Sequence, residues 1–203
     1  MISLPEPCLV VLVGAAGSGK STLAARLFHA DAVLSSDAHR ALVAGDATDQ
    51  TVTRTAFSIL HKGLARRLAE RRTTVVDATN VTSYARRSLV RRSTNASVPA
   101  IAIVLALEPR IVRARNATRA GRIVPEAAVS RQLDDLDRAL RRDSLAAEGF
   151  DAVHLIRTAR ELDELAVQWE PREAREAWGT QARSRTTEGP DAGPAGPTRP
   201  TPT

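Results

Sequence analysis

A segment near the N-terminus has the residue types and spacing of a loop that binds phosphate. Residues 14–21 read Gly-Ala-Ala-Gly-Ser-Gly-Lys-Ser and fit G-x-x-x-x-G-K-[ST] at every required position. The glycines let the backbone curl, so that successive N–H groups face inward as an anion nest. The sequence therefore predicts a phosphate-binding loop here.

Two side chains at the end of this segment are suited to a nucleotide and its metal. Lys20 can reach the β- and γ-phosphates, and the Ser21 hydroxyl can take a coordination position on Mg²⁺. The apolar run 8–13 reads as a buried strand, and residues 22–28 read as a helix whose N-terminus adds partial positive charge. This order favours a phosphate cradle over a chance glycine turn. The predicted nucleotide-binding residues are Gly14, Ala15, Ala16, Gly17, Ser18, Gly19, Lys20, Ser21 and Thr22.

Two carboxylates follow apolar runs further along the chain. Asp37 ends the run 31–37 and could accept a proton from an attacking hydroxyl, with Arg40 one helical turn away. An N-cap aspartate beside a solvated arginine is the alternative interpretation. Asp77 closes the run 73–77 and is expected to bind Mg²⁺, directly or through water, although a strand-end turn would also suit it. Asn80 could contact either an acceptor or the backbone.

Arginines surround a short predicted loop in the second half of the chain. Arg115, Arg119 and Arg122 could belong to a mobile lid that supplies positive charge to phosphates. In a chain this rich in arginine, solvated surface positions are the alternative interpretation for each of them. The four histidines have no metal-ligand spacing.

The elements that must position these residues alternate between strand and helix, which predicts an α/β fold with a five-stranded parallel sheet covered on both faces. Residues 98–107 are almost wholly apolar, which favours a central strand. Ligands of such sheets bind at the carboxyl ends of the strands, so the loop, Asp37, Asp77 and Asn80 are expected along one edge. The predicted strands are 8–13, 31–37, 73–77, 98–107 and 151–156. The predicted helices are 22–28, 51–72, 82–92, 109–119, 125–147 and 160–168, with an extended lead-in at 1–7.

Composition limits the class of protein. The 203 residues are 43% hydrophobic but only 3% aromatic, and no apolar run is long enough to span a bilayer. The lone Cys8 excludes a disulfide framework, and no signal peptide is evident, so a cytoplasmic protein without membrane contact is expected. We expect one domain over residues 1–170 and a disordered tail rich in Pro and Gly over 171–203.

The net charge of +6 and the isoelectric point near 10.8 are compatible with a polyanionic partner. Lysine occurs only at Lys20 and Lys62, so a coding preference for arginine explains the same balance. The few aromatic residues that could stack on bases include Phe28, Phe57 and Tyr84.

Several motifs together resemble the kinase domain of bacterial polynucleotide kinase-phosphatase, within the AAA-type and zeta-toxin-like P-loop kinases. The resemblance runs from about residue 9 to 165 and includes the loop, Ser35-Ser36-Asp37 with Arg40, Asp77-Ala78-Thr79-Asn80, the spaced lid arginines and Glu148-Gly149-Phe150. It implies a three-layer P-loop kinase fold with an arginine-bearing lid.

The resemblance also implies an activity: transfer of the γ-phosphate of ATP to a 5′-hydroxyl end of DNA or RNA. It implies Asp37 as general base, Arg40 on an acceptor phosphate, Lys20 and Ser21 on the phosphates and Mg²⁺, and Arg115 and Arg122 on ATP. The catalytic set expected is Lys20, Asp37, Arg40 and Arg122. A small-molecule kinase on the same framework and a non-catalytic ATP-binding module are the alternatives.

Overall fold

Strands and helices alternate along the chain in the computed structural model, which describes residues 1–44, 53–119, 123–141 and 144–170. The strands are β1 (Ile2–Leu4), β2 (Leu9–Val13), β3 (Val33–Ser35), β4 (Thr74–Asp77), β5 (Ala100–Leu105), β6 (Ala152–Ile156) and β7 (Val167–Trp169). The helices are α1 (Lys20–Leu27), α2 (Ser36–Ala44), α3 (Thr53–Ala69), α4 (Ser83–Asn95), α5 (Pro109–Ala117), α6 (Glu126–Arg141), α7 (Ser144–Ala147) and α8 (Ala159–Glu164).

The main sheet has five parallel strands in the order β3-β4-β2-β5-β6, which confirms the predicted sheet. Strand β2 occupies the middle and pairs with β4 and β5, so that Leu9 lies opposite both Thr74 and Ala100. Every residue of β2 and β5 is buried. The apolar stretch 98–107, predicted to be the central strand, therefore contains the interior strand β5, which lies next to the centre. Both β2 and β5 are buried on both faces and are apolar for that reason, so composition alone does not tell them apart.

Alternate residues of β2 face two separate hydrophobic clusters. Leu12 packs in a cluster with Leu23 of α1, whereas Val11 packs in a cluster with Leu64 of α3 and Leu89 of α4. Each buried leucine stabilises the fold by roughly 2 kcal/mol. The predicted helices on both faces are confirmed, and together they hold the carboxyl ends of the strands in fixed register.

The first and last of the described strands pair with each other, which the local sequence pattern does not predict. Strand β1 pairs in parallel with β7, with Ile2 opposite Val167 and Leu4 opposite Trp169. The predicted helix over 160–168 is therefore wrong in its second half, because α8 ends at Glu164 and the chain continues as a strand. The partner of this strand lies more than 160 residues away in sequence, so local periodicity could not reveal it.

Other predicted boundaries also shift. Helix α2 begins at Ser36, so Asp37 lies in a first helical turn and not in a strand. The predicted helix 125–147 is observed as α6 and α7. Thr82 caps α4 by accepting a hydrogen bond from the Ala85 amide. Residues 45–52, Arg122 and the predicted tail over 171–203 lie outside the described residues.

A buried ion pair fixes the loop that follows β4. The Arg86 guanidinium donates two hydrogen bonds to Glu148, at 2.6 and 2.7 Å, and the two side chains are 1% and 0% exposed. Arg86 also donates to the carbonyls of Asn80 and Val81 at 3.1 and 2.6 Å. Satisfying this many acceptors offsets the cost of removing both charges from water.

No helix among the described residues has the length and apolar character needed to cross a membrane.

Candidate active site

Most of the predicted site residues line a cavity of about 610 Å³ at the carboxyl ends of the strands. Its lining includes Lys20 and Ser21 from the glycine loop and α1, Asp37 and Arg40 from α2, and Asp77 from the end of β4. The topological rule for parallel sheets therefore places these residues correctly, although they are separated by as many as 57 positions.

The glycine loop has the backbone that its composition predicts. Gly17 and Gly19 have φ of 88° and 97°, in the left-handed region that favours glycine. The lining of the cavity includes Ala16, Gly17, Gly19, Lys20, Ser21 and Thr22. The other three predicted nucleotide-binding residues support the loop through their main chain or by burial. The Gly14 amide donates to Thr79, the Ala15 carbonyl accepts from the Ser18 amide, and Ser18 is fully buried.

Gly17→Ala tests the tightness of this loop. A Cβ at Gly17 would lie 2.4 Å from the Val112 carbonyl oxygen, which is backbone and cannot move aside cheaply. With the strain of positive φ added, we expect a loss of at least about 2 kcal/mol in the free energy of unfolding, together with loss of nucleotide binding. Chemical denaturation and binding of a fluorescent ATP analogue measure the two effects.

Gly63→Ala is the matched control. Gly63 lies inside α3, and a Cβ there would meet only Leu34 at 3.9 and 4.0 Å. Alanine in a helix is favoured over glycine, so we expect a gain of roughly 0.5–1 kcal/mol and unchanged nucleotide binding. Equal stability of the two variants would contradict the steric argument.

Lys20 is buried at the first position of α1, with 7% of its surface exposed. Its ammonium donates to the Ala15 carbonyl at 2.8 Å and to the Ser18 hydroxyl at 3.3 Å. Burial lowers the pKa of Lys20 from 10.5 to about 8; the charge of Asp77 opposes this shift and that of Arg119 adds to it. The loop thus holds a poorly solvated cation, which an anionic ligand would stabilise.

The low pKa of Lys20 predicts a pH dependence of ligand binding. The ammonium is present below about pH 8 and is lost above it, whereas an ordinary lysine would keep its proton to about pH 10.5. We expect the affinity for ATP to fall up to tenfold per pH unit above pH 8. Isothermal titration calorimetry between pH 6 and 10 measures this, and the fall should disappear in Lys20→Met.

The same pKa sets the sign of a stability effect. Between about pH 8 and 10.5 the unfolded chain holds the lysine proton while the folded chain does not. The contribution of Lys20 to the free energy of unfolding therefore rises with pH across this window. If the free energy of unfolding of wild type and of Lys20→Met changed equally with pH in this window, the lowered pKa of Lys20 would be contradicted.

Ser21 and Asp77 form a pair of oxygen ligands suited to Mg²⁺. The Ser21 hydroxyl donates to a carboxylate oxygen of Asp77 at 2.8 Å; Ser21 lies in the first turn of α1, and Asp77 is the last residue of β4. Hydroxyl and carboxylate oxygens are the donors that this hard cation prefers. Within the described ranges no cluster of three or more His, Cys, Asp or Glu side chains could hold a metal, so phosphate oxygens would have to complete the coordination.

Asp37 is held between two arginines at the edge of the cavity. Arg40, one turn further along α2, forms an ion pair with Asp37, and its side chain is 9% exposed. Arg119 approaches the other carboxylate oxygen at 3.8 Å. Asp37 itself is 37% exposed, so an acceptor hydroxyl can reach it. The predicted helical turn that brings Asp37 and Arg40 to one side is confirmed.

Arg115 lies in the last turn of α5, and Arg119 comes shortly after that helix. Both Arg115 and Arg119 line the cavity, and Arg122 lies outside the described residues. Asn116 is buried and binds Val124 with both ends of its amide, at 2.8 and 3.2 Å. These two hydrogen bonds tie Val124 to α5. They fix the end of the helix from which Arg119 reaches Asp37.

Three side chains outside the glycine loop support the cavity. Gln132 of α6 accepts a hydrogen bond from the Ala16 amide at 2.8 Å. Arg26 of α1 donates to carbonyls at the end of α8, including that of Leu165 at 3.2 Å. The Asn80 amide donates to the Leu12 carbonyl at 2.8 Å and is buried, which places its side-chain amide on backbone. Each contact joins segments at least 68 residues apart.

Comparison with solved structures identifies chains with a similar fold. A chain of the Pnkp1/Rnl/Hen1 RNA repair complex superposes with a TM-score of 0.59 and 21% identity, over 68% of this chain and 47% of that one. A gluconokinase from Sinorhizobium meliloti gives a TM-score of 0.51 and 19% identity, over 90% and 98%. The AvrRxo1-ORF1:-ORF2 complex with ATP gives 0.58 and 13% identity, over 77% and 56%.

These likenesses show a P-loop kinase-like α/β fold. The chain spans about half the length of the RNA repair protein that it matches. No curated protein matches the sequence. The family model described as an AAA domain matches residues 9–142, which contain the glycine loop, Asp37, Asp77 and the arginines predicted to form a lid. Because this match covers well over half of the sequence, the chain belongs to the AAA domain family.

Proposed function

We propose that the protein transfers the γ-phosphate of ATP to a 5′-hydroxyl end of a polynucleotide. The observation that carries the proposal is the position of Asp37 in the same cavity as Lys20, with Arg40 and Arg119 on either side of its carboxylate. A protein that only binds nucleotide needs no exposed carboxylate facing the phosphate loop, so this placement favours catalysis over a binding module.

The residues of the cavity divide between the two substrates. The loop amides, Lys20, Arg115 and Arg119 would hold the phosphates of ATP, and Ser21 and Asp77 would hold Mg²⁺, which neutralises phosphate charge when bound. We assign Arg122 to the same phosphates on the resemblance to the polynucleotide kinase family. The oxygen of the acceptor hydroxyl bonds to the γ-phosphorus while the bond from that phosphorus to ADP breaks. Asp37 accepts the proton that this hydroxyl loses. Arg40 orients Asp37 and offers charge to an acceptor phosphate.

A polynucleotide acceptor is supported by charge and by one structural neighbour. The chain carries a net charge of +6, and a neighbour with the higher TM-score of 0.59 is part of an RNA repair complex. A small-molecule acceptor is the second candidate, because the gluconokinase is matched over 98% of its length. The two differ in salt dependence, since an acceptor bound through several phosphates weakens steeply with ionic strength and a neutral sugar does not.

The test is transfer of labelled γ-phosphate from ATP with Mg²⁺ to a short oligonucleotide with a 5′-hydroxyl. An identical oligonucleotide that already carries a 5′-phosphate is the control. We expect label only on the first. Label on gluconate or another small alcohol, with none on the oligonucleotide, would contradict the proposal and favour the second candidate.

A further inference from the structure

A second groove, of about 720 Å³, runs between α3 and α4 beside the nucleotide cavity. Phe57 of α3 lines both spaces, and the residues that follow β4 contribute Ala78 and Thr79 to the cavity and Asn80 to the groove. The groove therefore begins where the cavity that contains Asp37 ends. The proposed reaction does not use it.

The groove is lined by cations and contains no carboxylate. Its charged lining residues are Lys62, Arg91 and Arg92, and neither Asp nor Glu occurs in the lining. Helix α4 contributes to this bias, because it carries four arginines and no acidic residue. One of the four, Arg86, forms the buried ion pair with Glu148.

The groove cations lack protein partners within the described part of the chain. The structure gives Lys62 and Arg91 no ion pair there, and both are exposed. The Nε atom of Arg92 is buried without a hydrogen-bond partner among the described residues. The described residues therefore leave the charge of Arg92 uncompensated, and an anionic ligand in the groove would stabilise the three cations.

Two of the six aromatic side chains of the whole sequence flank this groove. Tyr84, in the first turn of α4, is 87% exposed, and the ring of Phe57 lies 6.2 Å from the imidazole of His61. Burial and the nearby charge of Arg92 lower the pKa of His61, so its ring is neutral at pH 7. Phe28, by contrast, is buried against Trp169 and cannot stack on a ligand.

We propose that this groove binds the acceptor strand beyond its terminal nucleotide, so that the substrate is single-stranded and several nucleotides long. Lys62, Arg91 and Arg92 would contact its phosphates, and Tyr84 and Phe57 would stack on its bases. Cationic grooves with interspersed aromatic rings bind single strands in this way with little regard to sequence. The inference rests on the proposed function, which sets the direction of the bound strand: its 5′ end lies at Asp37, and the strand continues past Phe57.

The first test is binding by the full chain of a fluorescein-labelled octanucleotide with a 5′-phosphate, followed by fluorescence anisotropy. We expect the double variant Lys62→Ala/Arg91→Ala to bind about tenfold more weakly than wild type. The slope of log affinity against log salt should fall by about 1.4, since each lost phosphate contact to a single strand contributes about 0.7. Tyr84→Ala should weaken binding without changing this slope.

Arg87→Ala is the matched control, because Arg87 is an exposed arginine of α4 outside the groove lining. If Arg87→Ala weakens binding as much as the double variant does for each charge removed, the groove proposal is wrong. Tighter binding of polyglutamate than of the octanucleotide by the wild type would also overturn it.

The second test separates the groove from the proposed reaction. A nucleoside 3′-monophosphate has a 5′-hydroxyl but is too short to enter the groove. We expect the double variant to raise KM about tenfold for an octanucleotide acceptor and to leave the monophosphate unaffected. Oligonucleotide binding that depends on the groove, without transfer to either acceptor, would reject the proposed function alone. Transfer to both acceptors with unchanged octanucleotide KM would reject the groove alone.

Discussion

Lys20→Ala should reduce phosphoryl transfer by about 10³-fold or more, which corresponds to about 4 kcal/mol of transition-state stabilisation. Lys20 is the buried cation of the glycine loop, and its ammonium is fixed by the Ala15 carbonyl and the Ser18 hydroxyl. A charge that is already oriented needs no reorganisation when negative charge develops on the phosphoryl group. Steady-state transfer of labelled γ-phosphate measures the loss.

The same variant should keep its fold, which makes the loss interpretable. Burial lowers the pKa of Lys20, so the folded state bears a cost for keeping this ammonium out of water. Removing it should leave the melting temperature unchanged or raise it. Lys20→Arg should remain impaired, because the planar guanidinium does not fit a site shaped for a compact ammonium. Near-normal turnover of Lys20→Ala would refute the assignment of the phosphate loop.

The parts of the site that could be predicted are those encoded within one short segment. The glycine loop is recognisable because its conformation needs glycine at fixed positions, and Gly17 and Gly19 indeed have positive φ. Asp37 and Arg40 could be paired because one helical turn separates them. Asp77 could be placed beside Ser21 without any local signal, since all parallel strands end at one edge of the sheet.

The parts that could not be predicted depend on contacts between distant segments. Gln132 supports the Ala16 amide from 116 positions away, and Arg86 finds Glu148 at a separation of 62. An arginine in an Arg-rich amphipathic helix has the same local pattern whether it is solvated or fully buried. Strand β7 comes shortly after helix α8 and is predicted from the sequence as its continuation, because its identity as a strand comes from pairing with the distant β1.

Asp37→Asn should lower the rate of transfer by about 10²- to 10³-fold, which lies within the range that a general base contributes. Asparagine has nearly the same shape and can still accept a hydrogen bond from Arg40, but it cannot take the acceptor proton. Because Asp37 lies outside the glycine loop, the dissociation constant for ATP should change less than threefold. Single-turnover transfer and calorimetric ATP binding, measured on one preparation, give the two quantities.

Asp163→Asn is the control for removal of a carboxylate from the rim of the same cavity, where Asp163 is exposed. It should leave the rate within twofold of wild type. The comparison with Lys20→Ala then separates two roles: loss of Lys20 should weaken ATP binding as well as transfer, whereas loss of Asp37 should affect transfer alone. If Asp37→Asn kept the full rate while Lys20→Ala was inactive, Asp37 would serve only to anchor Arg40 and Arg119. The acceptor would then have to lose its proton to water or directly to the phosphoryl group.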